Sequence, residues 1–325
     1  MTRNGASQGR CDSSRREFLA SVASVGAALT TASTARGAES GDPGARATVC
    51  LFSKCFQPRT VAQLAEIVPE VGFRSVDLTV RPGGHVLPER VTEDLPRAKE
   101  TLAKAGVSIA MITTDITAAD QKHAADVLRT AGGLGIRHAK LGYLRYADMK
   151  AIPQTWADAK ARLRDLVPLL REHGVHGGYH NHSGGCVGSL LWDEWELIRD
   201  LDPRWVGSFF DPAHATAEGG TRGWKIGLNL LAPRITMLAV KDFAWQKGKG
   251  GWSPRFGPLG EGAVHWDEVF ATLKSHAFAG PVSLHMEYGE HGPAGSDNEK
   301  AIAAAVRRDG AFLRAALAGA EIRTT

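Results

Sequence analysis

Apolar residues along the chain fall into short unbroken runs, separated by longer stretches in which they recur every three or four positions. The short runs are Thr48–Phe52, Ser75–Val80, Val107–Thr113, His138–Gly142, Val175–His180, Val206–Phe210, Ile235–Val240 and Pro281–Met286. The longer, amphipathic stretches cover residues 60–71, 92–105, 117–131, 153–173, 191–200, 221–231, 265–276 and 297–318. Runs this short and continuous suit strands buried on both faces, and their alternation with helical periodicity predicts parallel β/α units. Thr60, Thr92, Thr117 and Asp297 stand where helix N-caps are expected. Val71-Gly72-Phe73, Ala105-Gly106-Val107 and His173-Gly174-Val175 place a glycine between a helix end and the next apolar run. Units of one composition class, repeated eight times, predict a single-domain α/β fold over residues 48–320, a closed (β/α)8 TIM barrel. An open doubly wound sheet is the competitor. It wants a glycine-rich phosphate turn after its first strand, and Phe52–Pro58 contains no glycine.

The first residues depart from this pattern. Arg3, Arg10, Arg15 and Arg16 precede a small-residue apolar run, Leu19–Leu29, that ends in Ser33-Thr34-Ala35. A basic segment, a short apolar core and a small-residue cleavage site read as an export signal over residues 1–38, with a linker at 39–47. Ser14-Arg15-Arg16-Glu17-Phe18-Leu19 is similar to a twin-arginine signal, which implies a periplasmic protein exported already folded. The run is too short and too rich in Ser and Thr for a membrane helix, so no membrane association is expected after cleavage. The leader also changes the charge argument. It holds five arginines against two acids, so +3 of the formal +4 resides there, leaving about +1 on the rest. No basic footprint for nucleic acid remains. Cleavage would remove Cys11 and leave Cys50, Cys55 and Cys186, which are odd in number and lack C-x-x-C spacing, so neither a disulfide framework nor a cysteine zinc site is indicated.

Polar side chains concentrate where the last four apolar runs end. The fifth ends in Tyr179-His180-Asn181-His182, and alternation along a strand puts His180 and His182 on one face. The sixth is followed by Asp211-Pro212-Ala213-His214, the seventh by Lys241-Asp242, and the eighth carries His285 and Glu287 on a shared face. Each has an ordinary structural reading: a hydrogen-bonded histidine, an Asp-Pro turn, a surface Lys241–Asp242 pair, a solvated rim glutamate. Gathered at one barrel mouth they are costly to bury unless they bind or react. Imidazole with carboxylate is ligand chemistry for a divalent metal. Further back, Arg81 and His85 flank Gly83-Gly84, and Trp245 and Trp252 sit in a Gly/Lys-rich stretch; both segments are candidates for sugar contacts or loop anchoring.

The chain resembles the xylose-isomerase-like barrels of the sugar phosphate isomerase/epimerase superfamily over nearly all of residues 48–318. The resemblance rests on Asp211-Pro212-Ala213-His214, on Val240-Lys241-Asp242, on Pro258-Leu259-Gly260-Glu261-Gly262 with His265-Trp266, and on Val76–His85. It implies a divalent metal, Mn first with Zn, Co or Mg as alternatives, held by residues of the last four strands. It also implies two glutamates that move a proton between adjacent carbons of a ketose. The chain departs from the pattern: His180 stands at the fifth-strand Glu position, Ala239 at the seventh-strand His position, and His285 at the eighth-strand Glu position. The expected metal ligands are therefore His180, Asp211 and His285, with Glu287 as fourth ligand or base. Lys241 is expected to stabilise an enediolate or to act as a base of lowered pKa. His182, His214, Arg81, His85 and Trp245 are expected to contact substrate.

The reading that follows is a metal-dependent isomerase or epimerase acting on a small carbohydrate or polyhydroxy-ketone by proton abstraction next to a carbonyl. A lyase on oxidised sugars shares that first step. A non-catalytic periplasmic sugar-binding barrel is favoured by Ala239 and opposed by Asp211, Glu287 and the histidines. A DNA-repair nuclease would want a basic face and more ligands. The sequence leaves the oligomeric state open.

Overall fold

The computed structural model describes residues 46–289 and 297–325. The expected leader, and linker residues 39–45, lie outside the described residues. Parallel strands β1 (Thr48–Phe52), β2 (Ser75–Thr79), β3 (Ser108–Thr113), β4 (His138–Lys140), β5 (His176–His180), β6 (Val206–Phe210), β7 (Ile235–Val240) and β10 (Pro281–Leu284) close into a barrel in the order β1-β10-β7-β6-β5-β4-β3-β2. An antiparallel hairpin, β8 (Asp242–Gly248) and β9 (Gly251–Gly257), leaves the end of β7. Helices α1 (Val61–Glu70), α2 (Val91–Lys104), α3 (Ala124–Gly133), α4 (Ile152–His173), α5 (Leu191–Ile198), α6 (Pro212–Gly219), α7 (Gly223–Leu231), α8 (Trp266–Ser275) and α9 (Asp297–Gly319) fill the crossovers. The barrel is the expected single-domain (β/α)8 fold.

Local chemistry accounts for the framework. Thr60 and Gln63 form a reciprocal capping box at the start of α1. Gly72, Gly106 and Gly174 adopt φ of +88°, +71° and +63°, a region costly for residues with a Cβ, and so turn each helix directly into the next strand. One apolar cluster joins strand residues such as Leu51, Val76 and Leu238 to helix residues such as Leu64, Leu102 and Leu228. A second, smaller one (Cys50, Met111, Phe209, Met237 and Ala239) draws on β1, β3, β6 and β7. The Ala239 position thus belongs to the packed interior.

Three expectations shift. Helix α3 begins only at Ala124, because Thr117 spends its side chain and backbone N–H on Gln121 in the preceding loop. Thr92 lies inside α2 rather than at its cap. The Gly/Lys-rich stretch after β7 forms the β8–β9 hairpin, and α6 follows β6 without a break because Asp211 caps it by accepting the His214 N–H.

Candidate active site at the barrel mouth

The site is built outward from Asp211. Its backbone is fixed by Asn181, whose side-chain amide donates to the Asp211 carbonyl at 2.9 Å and accepts the Asp211 N–H at 2.7 Å. Oδ1 caps α6, while Oδ2 is fully buried and has no hydrogen-bond partner among the described residues. Two imidazoles face that oxygen: His180 Nε2 at 3.9 Å and His214 Nε2 at 3.8 Å. His180 Nδ1 lies 2.9 Å from the Phe209 carbonyl, which can only accept, so Nδ1 carries the proton and Nε2 keeps a lone pair. His214 Nδ1 meets Ser183 Oγ at 2.8 Å, and its Nε2 has no partner. Burial, reinforced by neighbouring cations, holds both imidazoles well below their ordinary pKa, hence neutral. Ligand atoms of His180, Asp211 and His214 all lie within 4.8 Å of one another. Two neutral imidazoles and a carboxylate oxygen held by an ion pair but by no hydrogen bond fit a divalent metal, with Zn, Mn, Co and Fe suited to the set.

Lys241, buried at the end of β7, sets its ammonium 3.2 Å from Asp211 Oδ2 and 2.7 Å from Glu287 Oε2. Lys54, in the turn after β1, takes the other Glu287 oxygen at 2.7 Å. Burial opposes charge on Lys241, but Asp211 and Glu287 outweigh it and raise its pKa. Burial likewise opposes charge on Glu287, and Lys241, His285 and Lys54 reverse that, holding it well below the usual carboxylate range. Both are ionised at neutral pH. Lys241 is therefore a cation and not the amine base of lowered pKa that its burial alone suggested.

Lys241 does not pair with Asp242. That carboxylate accepts from the backbone N–H groups of Phe243, Gly260 and Val264 and from the Trp266 indole. A Cβ on Gly262 would lie 2.1 Å from Asp242 Oδ1. The Pro258–Gly262 and Trp266 motif is thus a latch that fixes the loop before α8, with glycine required for close approach.

On the opposite wall Arg81 was expected, and Lys140 and Tyr143 were not. A cavity of about 140 Å³ is lined by Lys54, Arg81, Lys140, Tyr143, His180, His182, Lys241, His285 and Glu287, with Phe52, Thr113 and Phe209 beside them. Lys140, the last residue of β4, lies 3.6 Å from the centre of the Tyr143 ring. Its run, His138–Gly142, reads as an ordinary buried strand, and only the lysine inside it signals a polar destination.

The expected site residues divide accordingly. Arg81, His180, His182, Lys241, His285 and Glu287 share the cavity. His182 packs against His214, ring centres 4.1 Å apart and planes tilted by 43°. His285 is corrected as a ligand: its ring stacks on Phe52 at 4.2 Å and its Nε2 faces Asp77 at 3.9 Å, and it does not join the Asp211 group. Glu287 is also outside that group, and two ammonium ions occupy its oxygens. His214, expected to touch substrate, stands in that group instead. His85 hydrogen-bonds Thr79 and supports the wall without lining the cavity. Trp245 is 44% exposed and does not line the cavity; Phe256 of β9 reaches the site, 4.8 Å from Lys241 Nζ.

The family model described as xylose isomerase-like TIM barrel matches residues 65–315. No curated protein sequence matches. Among solved structures, an L-ribulose 3-epimerase superposes with a TM-score of 0.63 at 16% identity, covering 85% of this chain and 96% of its own. The IOLI protein with a bound zinc atom gives 0.67 at 15% identity, covering 84% and 98%. A xylose isomerase-like barrel from Mycobacterium smegmatis in complex with magnesium gives 0.62 at 15%, covering 85% and 98%. At these identities the likeness establishes the fold.

Proposed function

This chain belongs to the xylose isomerase-like TIM-barrel family, and on that premise we propose that it is a metal-dependent isomerase or epimerase of a small carbohydrate, working by proton transfer next to a carbonyl. The observation that carries the reading is the convergence of Asp211 Oδ2, His180 Nε2 and His214 Nε2, all buried, beside a charged Lys241–Glu287 pair. His180, Asp211 and His214 would hold the divalent ion, which polarises carbonyl and hydroxyl oxygens when bound. Lys241 places a fixed positive charge in a water-poor pocket, where an enediolate oxygen gains most from it. Glu287, ionised at neutral pH, accepts the α-proton and returns it. His182 and Tyr143 supply polar contacts for hydroxyl groups. Supporting the carbohydrate assignment are relatives of this fold whose printed names are L-ribulose 3-epimerase and D-allulose 3-epimerase. A lyase on an oxidised sugar begins with the same proton abstraction. Export through a twin-arginine signal, read from Arg15-Arg16 and the apolar run after it, would place the reaction in the periplasm.

The test is exchange of a substrate C–H proton with deuterated water, followed by NMR over a panel of ketoses and 3-keto sugars. Exchange that is lost in Glu287→Gln supports the reading. One observation favours a second reading, a non-catalytic sugar-binding barrel: Glu287 is clamped by two lysines, which weakens it as a base. Binding of a sugar by calorimetry with no exchange of any of its protons would select that alternative.

A further inference from the structure

Charge in the cavity is balanced on one side only. Lys241 has two carboxylates and Lys54 has one. Arg81 and Lys140, which line the same cavity, make no ion pair within 4 Å among the described residues, and feel carboxylates such as Asp77 only at longer range. Lys140 is 2% exposed, and the structure gives its Nζ one contact, the face of Tyr143. The nearby buried acid is committed elsewhere: Asp77 accepts from Thr113 Oγ1 at 2.8 Å and from Ser283 Oγ at 2.9 Å. A buried cation without a counter-ion is costly, and a ring face recovers only part of that cost. Burial, with the charge of Arg81 adding to it, lowers the Lys140 pKa to about 7, and the more distant carboxylates of Asp77 and Asp115 offset only part of that.

Barrel order makes the imbalance directional. β2 and β4, which deliver Arg81 and Lys140, stand across the barrel from β6 and β10, which deliver Asp211 and Glu287. At about 140 Å³ the cavity is well below the volumes of drug-sized sites, so one small molecule must touch both walls. We propose that the ligand is a sugar bearing an acidic group, a carboxylate or a phosphate, and that Arg81 and Lys140 hold this group while the carbonyl end faces Asp211 and Lys241. This rests on the sugar reading above and adds the substrate class. A guanidinium gives two parallel donors to such an anion, and the lysine adds a point charge.

The experiment is calorimetric titration of the whole protein with matched probes: D-glucose, D-glucuronate, D-gluconate and D-glucose 6-phosphate. Inorganic phosphate and acetate are scored alongside by thermal shift. At least one acidic sugar should bind about tenfold or more tighter than glucose, and the stronger arm identifies carboxylate or phosphate. Lys140→Met and Arg81→Gln should each remove that preference, so that the acidic sugar binds no tighter than glucose does to the same variant. Lys140→Met should melt no lower than the parent protein without ligand, since it deletes an uncompensated buried charge, and this guards against a folding artefact. Equal binding of acidic and neutral sugars, or a preference that survives Lys140→Met, overturns the inference and leaves the sugar reading standing. Small anions that stabilise through Lys140 while no sugar binds show the anion site intact and count against the sugar reading.

Discussion

Replacing Lys241 by methionine is the sharpest probe of the site, because this one ammonium neutralises Asp211. At an effective dielectric constant near 20, unit charges 3.2 Å apart attract by about 5 kcal/mol, and charges 2.7 Å apart by about 6 kcal/mol. Desolvation of the lysine offsets most of this. Its removal, however, strands Asp211 Oδ2, which is fully buried and has no hydrogen-bond donor, while Glu287 keeps Lys54. Removing one partner of such a pair costs about 3–5 kcal/mol. For a barrel of this size that corresponds to a fall in melting temperature of about 10 °C. The assay is circular dichroism melting of chelator-treated protein, with and without added Mn or Zn. A metal at roughly a hundred times its dissociation constant restores about 2.7 kcal/mol. It should restore more in Lys241→Met than in the parent, since in the parent the lysine competes for Asp211. A metal-free variant that melts within about 2 °C of the parent would show that Asp211 does not depend on this lysine. A metal shift identical in the two proteins would place the ion elsewhere.

Further outcomes test other parts of the site. His214→Ala should weaken metal binding by at least about tenfold and His285→Phe should leave it unchanged, as read by metal stoichiometry after dialysis; the reverse would restore His285 as ligand. Acid should destabilise the fold: burial lowers His85 and His138 to about 4 and His285 to about 3, so between these values and 6.5 the unfolded chain binds more protons. Stability is then lost as pH falls from 6.5 towards 4. Asp77, raised to about 7 by burial against its hydrogen bonds, works in the opposite sense, because between 3.8 and 7 the folded state holds its proton. Asp77→Asn should therefore steepen the acid loss in melting curves taken across that range, and an unchanged slope would count against the assignment. Asp242→Ala leaves donors from Gly260, Val264 and Trp266 without their acceptor and should cost about 3 kcal/mol or more by denaturant titration; a loss below about 1 kcal/mol would mean that water replaces the carboxylate.

The barrel was legible because its two periodicities differ and because glycine marks the turn from helix to strand at Gly72, Gly106 and Gly174. The gathering of His180, Asp211, Lys241 and Glu287 was legible for the same reason: strand alternation assigns them to one end of neighbouring strands. Ligand choice was not legible. Whether His214 or His285 faces Asp211 depends on Asp211 capping α6, which brings His214 round by one turn, and on Phe52 claiming the His285 ring. Trp245 was misplaced because of depth: it shares a face with Phe243 and Phe256, which pair across β8 and β9, but lies two residues further out along the hairpin, where it is 44% exposed. Lys140 went unseen because one lysine in a three-residue strand carries no pattern of its own.

Those misreadings share a cause, and it bears on specificity. Motif reasoning favours residues that come in groups, and the acidic, imidazole-rich wall is made of such groups. Arg81 and Lys140 come from elements far apart in sequence and meet only because a closed barrel brings β2 and β4 to one side of its mouth. The proposed proton abstraction next to a carbonyl needs only the grouped wall. The choice of substrate then falls to the ungrouped wall, where a single unpaired charge at this depth discriminates between an acid and its neutral parent more strongly than any added apolar contact. On this argument, exchanging Lys140 together with Arg81 for neutral residues should change which sugars bind while the Asp211–Lys241–Glu287 wall stays in place.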